Sequence, residues 1–144
     1  MTAQFELEDF RPPTKVVLAA LWTSLMFLYV YGDYFNMYTP GKIEEMSAGR
    51  IGPLGVASES VLLGVATMMA IPGLMIALSL LLPPVIGEWL NVLVGLAYTG
   101  ILALTLPGAP LFYLAYGGIE IALTLLITWT ALRWPRRAVA SPQA

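Results

Sequence analysis

Residues 113–129 read YLAYGGIEIALTLLITW, an apolar run with a carboxylate, Glu120, close to its middle. Taken out to residues 111–132, the run has the ~20 residues that a helix rising ~1.5 Å per residue needs to cross ~30 Å of hydrocarbon. Three more runs of this kind precede it, at about residues 16–38, 56–82 and 85–106. Strands of a membrane barrel would alternate apolar and polar residues in ~10-residue segments, and these runs do not. The fold class that follows is all-α: a polytopic membrane protein built as an antiparallel bundle of four transmembrane helices.

The composition agrees. Of 144 residues, 58% are hydrophobic and 11% charged, far from the balance of a soluble domain and enough for a single membrane domain. A formal net charge of −2, with no cluster of Lys and Arg, offers nucleic acid no surface. The chain has neither cysteine nor histidine, which excludes thiol redox chemistry and ordinary iron–sulfur, haem or zinc sites. No cofactor or metal is expected. The lipid bilayer is the first expected partner.

Breakers place the turns. Pro83-Pro84 separates the second and third runs and Pro107-Gly108-Ala109-Pro110 the third and fourth, so both connections are short and predict antiparallel neighbours. The long connection, residues 39–55, holds KIEEMSAGR between Pro40-Gly41 and Gly52-Pro53, and predicts one short helix at the membrane interface. The leader MTAQFELEDFRPP is too acidic, and the run after it too long, for a cleaved signal, so the first helix is expected to be retained. Residues 135–144 form a C-terminal tail. With four spans both termini share a side, holding Arg11, Lys15, Arg133, Arg136 and Arg137 against Lys42 and Arg50 opposite. The positive-inside rule then puts both termini in the cytoplasm of a bacterial inner-membrane protein and turns the long loop outward. Trp22, Trp89, Trp129 and Trp134, with Tyr29, Tyr31, Tyr34 and Tyr38, are expected mostly as interfacial anchors.

The polar residues inside the runs carry the functional reading. Tyr113, Tyr116, Glu120, Thr124 and Thr128 recur at helical spacing and share one face of the fourth helix. Tyr29, Asp33 and Asn36 share a face of the first helix, and Glu88, Asn91, Gly95 and Tyr98 a face of the third. A lipid-facing carboxylate costs several kcal/mol, so such stripes point into the bundle. They predict an outward-opening pocket between Asp33, Glu59, Tyr113, Tyr116 and Glu120. The bland alternatives are specific. Glu120 could serve only to hydrogen-bond a neighbouring helix, Thr124 and Thr128 to bond their own backbone, and Asp33 and Glu59 to sit in water near the helix ends. Glu88 reads as a solvated acid in a first helical turn. Met68, Met69 and Met75 read as core filler. Pro72 kinks the second helix, as a hinge or, on the favoured reading, a static bend, and Gly64, Ala66, Ala70 and Gly73 would let another helix approach closely.

ALWTSLMFLYVYGDYFNMYTPG, ESVLLGVATMMAIPGLMIALSLLLP and YLAYGGIEIALTLLITWTALRW together resemble the pattern of an uncharacterised bacterial family of small four-helix membrane proteins. The matching positions are Leu21, Trp22, Tyr31, Asp33, Glu59, Leu62, Leu63, Gly64, Ile71, Pro72, Gly117 or Gly118, Ile119 and Glu120, within residues 16–134. The resemblance implies a family and no function. A looser likeness is to DoxX-like membrane proteins, at the level of fold. The small multidrug resistance transporters are similar in length, but their essential glutamate lies in the first helix, whereas the central acid here lies in the fourth.

Two classes of function follow. In one, the protein binds and moves a small cationic or amphipathic ligand, with Glu120 exchanging a proton for the cation. In the other, it is a structural or regulatory subunit of a membrane complex. An enzyme fits least well, because no nucleophile stands with a base and no cofactor fingerprint is present. Four helices barely enclose a pathway, so transport would call for a homodimer, and a subunit role for a larger complex.

Overall fold

Proline sets most of the helix starts. Three of the four long helices begin directly behind a proline at the N-cap: α1 (Thr14–Asn36) behind Pro13, α4 (Pro84–Thr105) behind Pro83 and α5 (Leu111–Leu132) behind Pro110. A residue lacking its N–H loses nothing where helical amides have no partner anyway, and its fixed φ starts the turn. The exception, α3 (Glu59–Leu81), begins behind Ser58, whose Oγ accepts the Val61 amide at 3.4 Å. The computed structural model describes residues 10–136. The leader before Phe10, Arg137 and the rest of the tail lie outside the described residues. All four long helices are long and apolar enough to cross a membrane.

The long connection contains the expected short helix, α2 (Lys42–Ser47), and a hairpin that the sequence reading did not find. Strands β1 (Arg50–Ile51) and β2 (Gly55–Val56) pair antiparallel around a 3-10 turn at Gly52–Leu54. Gly52 and Gly55 hold φ of 36° and 79°, the left-handed values that let so short a turn reverse. The hairpin consumes residues 55 and 56, so α3 starts three residues later than the expected 56.

Around the bundle the helices run in the order α3, α1, α5, α4, with every neighbour antiparallel. The contacts are uneven: α4 packs most extensively on α5, α1 packs on both α3 and α5, and the α3–α4 contact is slight. The short Pro83-Pro84 link therefore joins helices that barely touch. Gly95 explains the closeness of α4 and α5. A Cβ there would stand 2.5 Å from the Thr128 hydroxyl and 3.2 Å from the Thr124 carbonyl. Gly64 shows the opposite: nothing comes within 4 Å of its Cβ position, so the close approach that the small residues of α3 permit is not used there.

The half of the bundle nearest the termini is closed by polar side chains that find each other. The Trp22 indole N–H donates to Asn91 Oδ1 at 2.7 Å, the Ser79 hydroxyl donates to the same oxygen at 3.1 Å, and Asn91 Nδ2 donates to the Gly87 carbonyl at 2.8 Å. Three helices, α1, α3 and α4, meet in this knot. Trp22 is fully buried, not the interfacial anchor its residue type suggested, because its one donor is consumed inside. The Lys15 ammonium ties the start of α1 to the end of α3 through the Leu80 and Leu82 carbonyls, at 3.0 and 2.7 Å. Glu88 meets Arg136 at 3.5 Å, and Arg133 lies 4.0 Å from the centre of the exposed Trp129 ring.

Pro72 is buried within α3 and has no N–H for the carbonyl four residues back, that of Met68. The Tyr98 hydroxyl of α4 donates to that carbonyl instead. The carbonyl that Pro72 leaves without a helical partner is thus satisfied by a neighbouring helix. Replacing Tyr98 with Phe should destabilise the protein by about 1 kcal/mol, with a smaller loss in a Pro72→Ala background where residue 72 bonds the Met68 carbonyl itself. A double-mutant cycle on thermal unfolding in detergent checks this, and additive losses would refute the linkage.

Candidate functional site

At the end of the bundle that bears α2 and the hairpin, the four long helices surround a cavity of about 100 Å³. Each helix contributes for a reason legible in its sequence. On α1, Tyr29, Gly32 and Asp33 fall on the inner face, and Gly32 leaves room for Tyr116 and Glu120, which would stand 3.5 and 3.9 Å from a Cβ there. On α5, Tyr113, Tyr116, Gly117 and Glu120 follow helical spacing along one face. Met68 and Met69 of α3 and Tyr98, Ile101, Leu102 and Thr105 of α4 complete the wall. The α1 and α5 walls carry both carboxylates, whereas the α3 and α4 walls are apolar apart from Tyr98 and Thr105.

Glu120 lies nine residues into α5, about 13 Å along its axis, and is 8% exposed. Asp33 is exposed at the cavity's edge. Neither carboxylate forms an ion pair within the described residues. Beside them the Tyr29 hydroxyl is buried with no hydrogen-bond partner among the described residues. Tyr113 and Tyr116 are half-buried, and the Tyr116 ring meets Phe35 edge-on at 6.3 Å. The cavity therefore holds two acids and several phenols, with one phenolic oxygen unsatisfied.

Of the five residues expected to form the pocket, Asp33, Tyr113, Tyr116 and Glu120 line this cavity and Glu59 does not. Glu59 is the first residue of α3, exposed next to its Ser58 cap, where the helix dipole favours an acid. The secondary polar residues divide. Tyr98 lines the cavity. Asn91 belongs to the knot with Trp22, Glu88 pairs with Arg136, and Asn36 accepts from Thr39 at 3.4 Å beside the end of α1. Thr124 meets the Thr99 hydroxyl at 2.7 Å and the Ile121 carbonyl at 3.0 Å, and Thr128 bonds the Thr124 carbonyl, so the lower part of the α5 stripe is structural. Tyr29, expected as an interfacial anchor, instead faces the cavity. Its signal was its shared helical face with Asp33. Met68 and Met69 pack half-buried against the hydrophobic core, as core filler should, and also form cavity wall. Among the described residues no group of three or more acids is placed to hold a metal ion.

A family profile described as "Family of unknown function (DUF6326)" matches residues 4–141, and the chain belongs to that family. No curated protein and no solved structure matches it.

The site's lack of internal pairing has a measurable consequence. A carboxyl that serves to bond a neighbouring helix costs stability when altered, whereas one aimed into a cavity does not. Glu120→Gln should therefore leave the unfolding temperature of the ligand-free protein unchanged or raise it. A loss of more than about 2 kcal/mol would mark Glu120 as a structural group.

Proposed function

We propose that this DUF6326 protein binds a small cationic or amphipathic ligand at the Asp33–Glu120 cavity, and that Glu120 gives up a proton when the cation arrives. One observation carries the reading: a nearly buried carboxylate shares a small cavity with a second acid and with a phenolic oxygen that has no partner. Intramembrane acids are expensive and cluster at ion, proton and ligand pathways. Two acids facing one small volume repel each other unless a proton or a cation stands between them. The tyrosine hydroxyls supply donors to the carboxylates and acceptors for an ammonium group.

The charge bias along the chain supports an orientation in which both termini are cytoplasmic and the cavity opens outward from a bacterial inner membrane. Arg11, Lys15, Arg133 and Arg136 lie at one end against Lys42 and Arg50 at the other. The cavity is small. An apolar cavity of about 150 Å³ accommodates benzene, and this one is smaller.

Thermal unfolding of the purified protein against methylammonium and alkali cations, at two pH values, tests the reading. Proton and cation compete for one carboxylate, so stabilisation by the cation should be greater at the higher pH, the affinity falling up to tenfold per pH unit on acidification. Glu120→Gln should abolish both the stabilisation and its pH dependence. No stabilisation by any cation would leave the structural or regulatory subunit as the function to pursue, through isolation of the complex that contains it.

A further inference from the structure

The cavity is asymmetric, and its apolar side lies on the weakest seam of the bundle. Resting on the cation-binding reading above, we infer that the ligand is a single-chain amphiphile with a cationic head: the head sits between Asp33 and Glu120, and the hydrocarbon tail leaves between α3 and α4 into the bilayer.

Three observations combine. The first is size. About 100 Å³ admits an ammonium group with a few carbons, so anything larger must lie partly outside. The second is polarity. Both acids come from α1 and α5, while the wall opposite consists largely of Met68, Met69, Ile101 and Leu102 from α3 and α4. A ligand that satisfies both walls has charge at one end and hydrocarbon at the other. The third is the seam. The contact between α3 and α4 is slight, whereas α4–α5, α1–α3 and α1–α5 are well packed, so the hydrocarbon side of the cavity is the side where the bundle is least closed.

The seam is also suited to a variable tail. Methionine side chains are flexible and polarizable and accommodate different apolar shapes. An inorganic cation would need neither the apolar wall nor the weakly packed seam.

The experiment uses the full chain in lipid nanodiscs with a dodecylammonium probe carrying a photoreactive diazirine at the end of its chain, and maps the labelled residues by mass spectrometry. Methylammonium binding to the same preparation is followed by thermal unfolding. The expected result is labelling concentrated on the facing residues of α3 and α4, reduced about tenfold in Glu120→Gln, as loss of one charge contact predicts. Excess methylammonium should compete for the head site and lower the labelling. Labelling spread over the exposed apolar surface and unaffected by Glu120→Gln overturns the amphiphile, as does labelling confined to the α1–α3 connection. If methylammonium still stabilises the wild type in either case, cation binding stands and only the tail is wrong. If neither probe responds to Glu120→Gln, both readings fall.

Discussion

Hydrocarbon offers a polar group no partner, and the whole arrangement of this bundle follows from where that demand is met inside the protein. Near the termini it is met fully. Asn91 takes two donors on its carboxamide oxygen, from Trp22 and Ser79, and gives its own amide hydrogen to the Gly87 carbonyl, so three helices are fixed in register by one side chain. Lys15 covers the last carbonyls of α3. At the other end the demand is left open: Glu120 and Asp33 make no internal ion pair among the described residues, and the Tyr29 hydroxyl stays unpartnered.

Tyr98 joins the two halves. Its ring stands edge-on to Trp22, 6.4 Å away, on the structural side, its hydroxyl holds the carbonyl released by Pro72, and its side chain forms cavity wall. The carbonyl left free by Pro72 and one wall of the cavity therefore meet at a single side chain. Gly95 acts in parallel by bringing α4 against α5, which fixes the Glu120 backbone relative to Tyr98. The precision of the site comes from packed helices, and the loops contribute little of it.

Much of this was legible in the sequence, and the exceptions have physical causes. The four spans follow from length and hydropathy, and the inward stripe of α5 follows from spacing, because a carboxylate on the lipid side would be costly. That combination placed Asp33, Tyr113, Tyr116 and Glu120 on one cavity. Glu59 failed because residues of the connection were assigned to the helix: two-residue strands carry no periodicity, so the hairpin was invisible and α3 seemed to start earlier than it does. Trp22 was misplaced because an indole suits an interface as well as a core, and only the position of Asn91 on another helix decides between them. How tightly each pair of neighbours packs was not legible. In a bilayer, lipid and protein neighbours are equally apolar, so a leucine facing α4 and a leucine facing lipid carry the same letter.

That last ambiguity bears directly on the site. The pairs α4–α5, α1–α3 and α1–α5 form a continuous chain of contact, which leaves α3–α4 as the one neighbouring pair whose separation breaks little packing. Two hydrogen bonds cross that seam, from Tyr98 to the Met68 carbonyl and from Ser79 to Asn91, and the rest of what faces it at the cavity is largely methionine, leucine and isoleucine. Opening any other seam would unpack a well-filled interface, and between α1 and α5 it would carry Glu120 or Asp33 towards hydrocarbon. The acids thus sit on the walls that hold firm, and the apolar residues on the walls that can part. For the amphiphile proposed above, such a division would give the charged head a fixed place and leave the tail free to enter from, and return to, the bilayer.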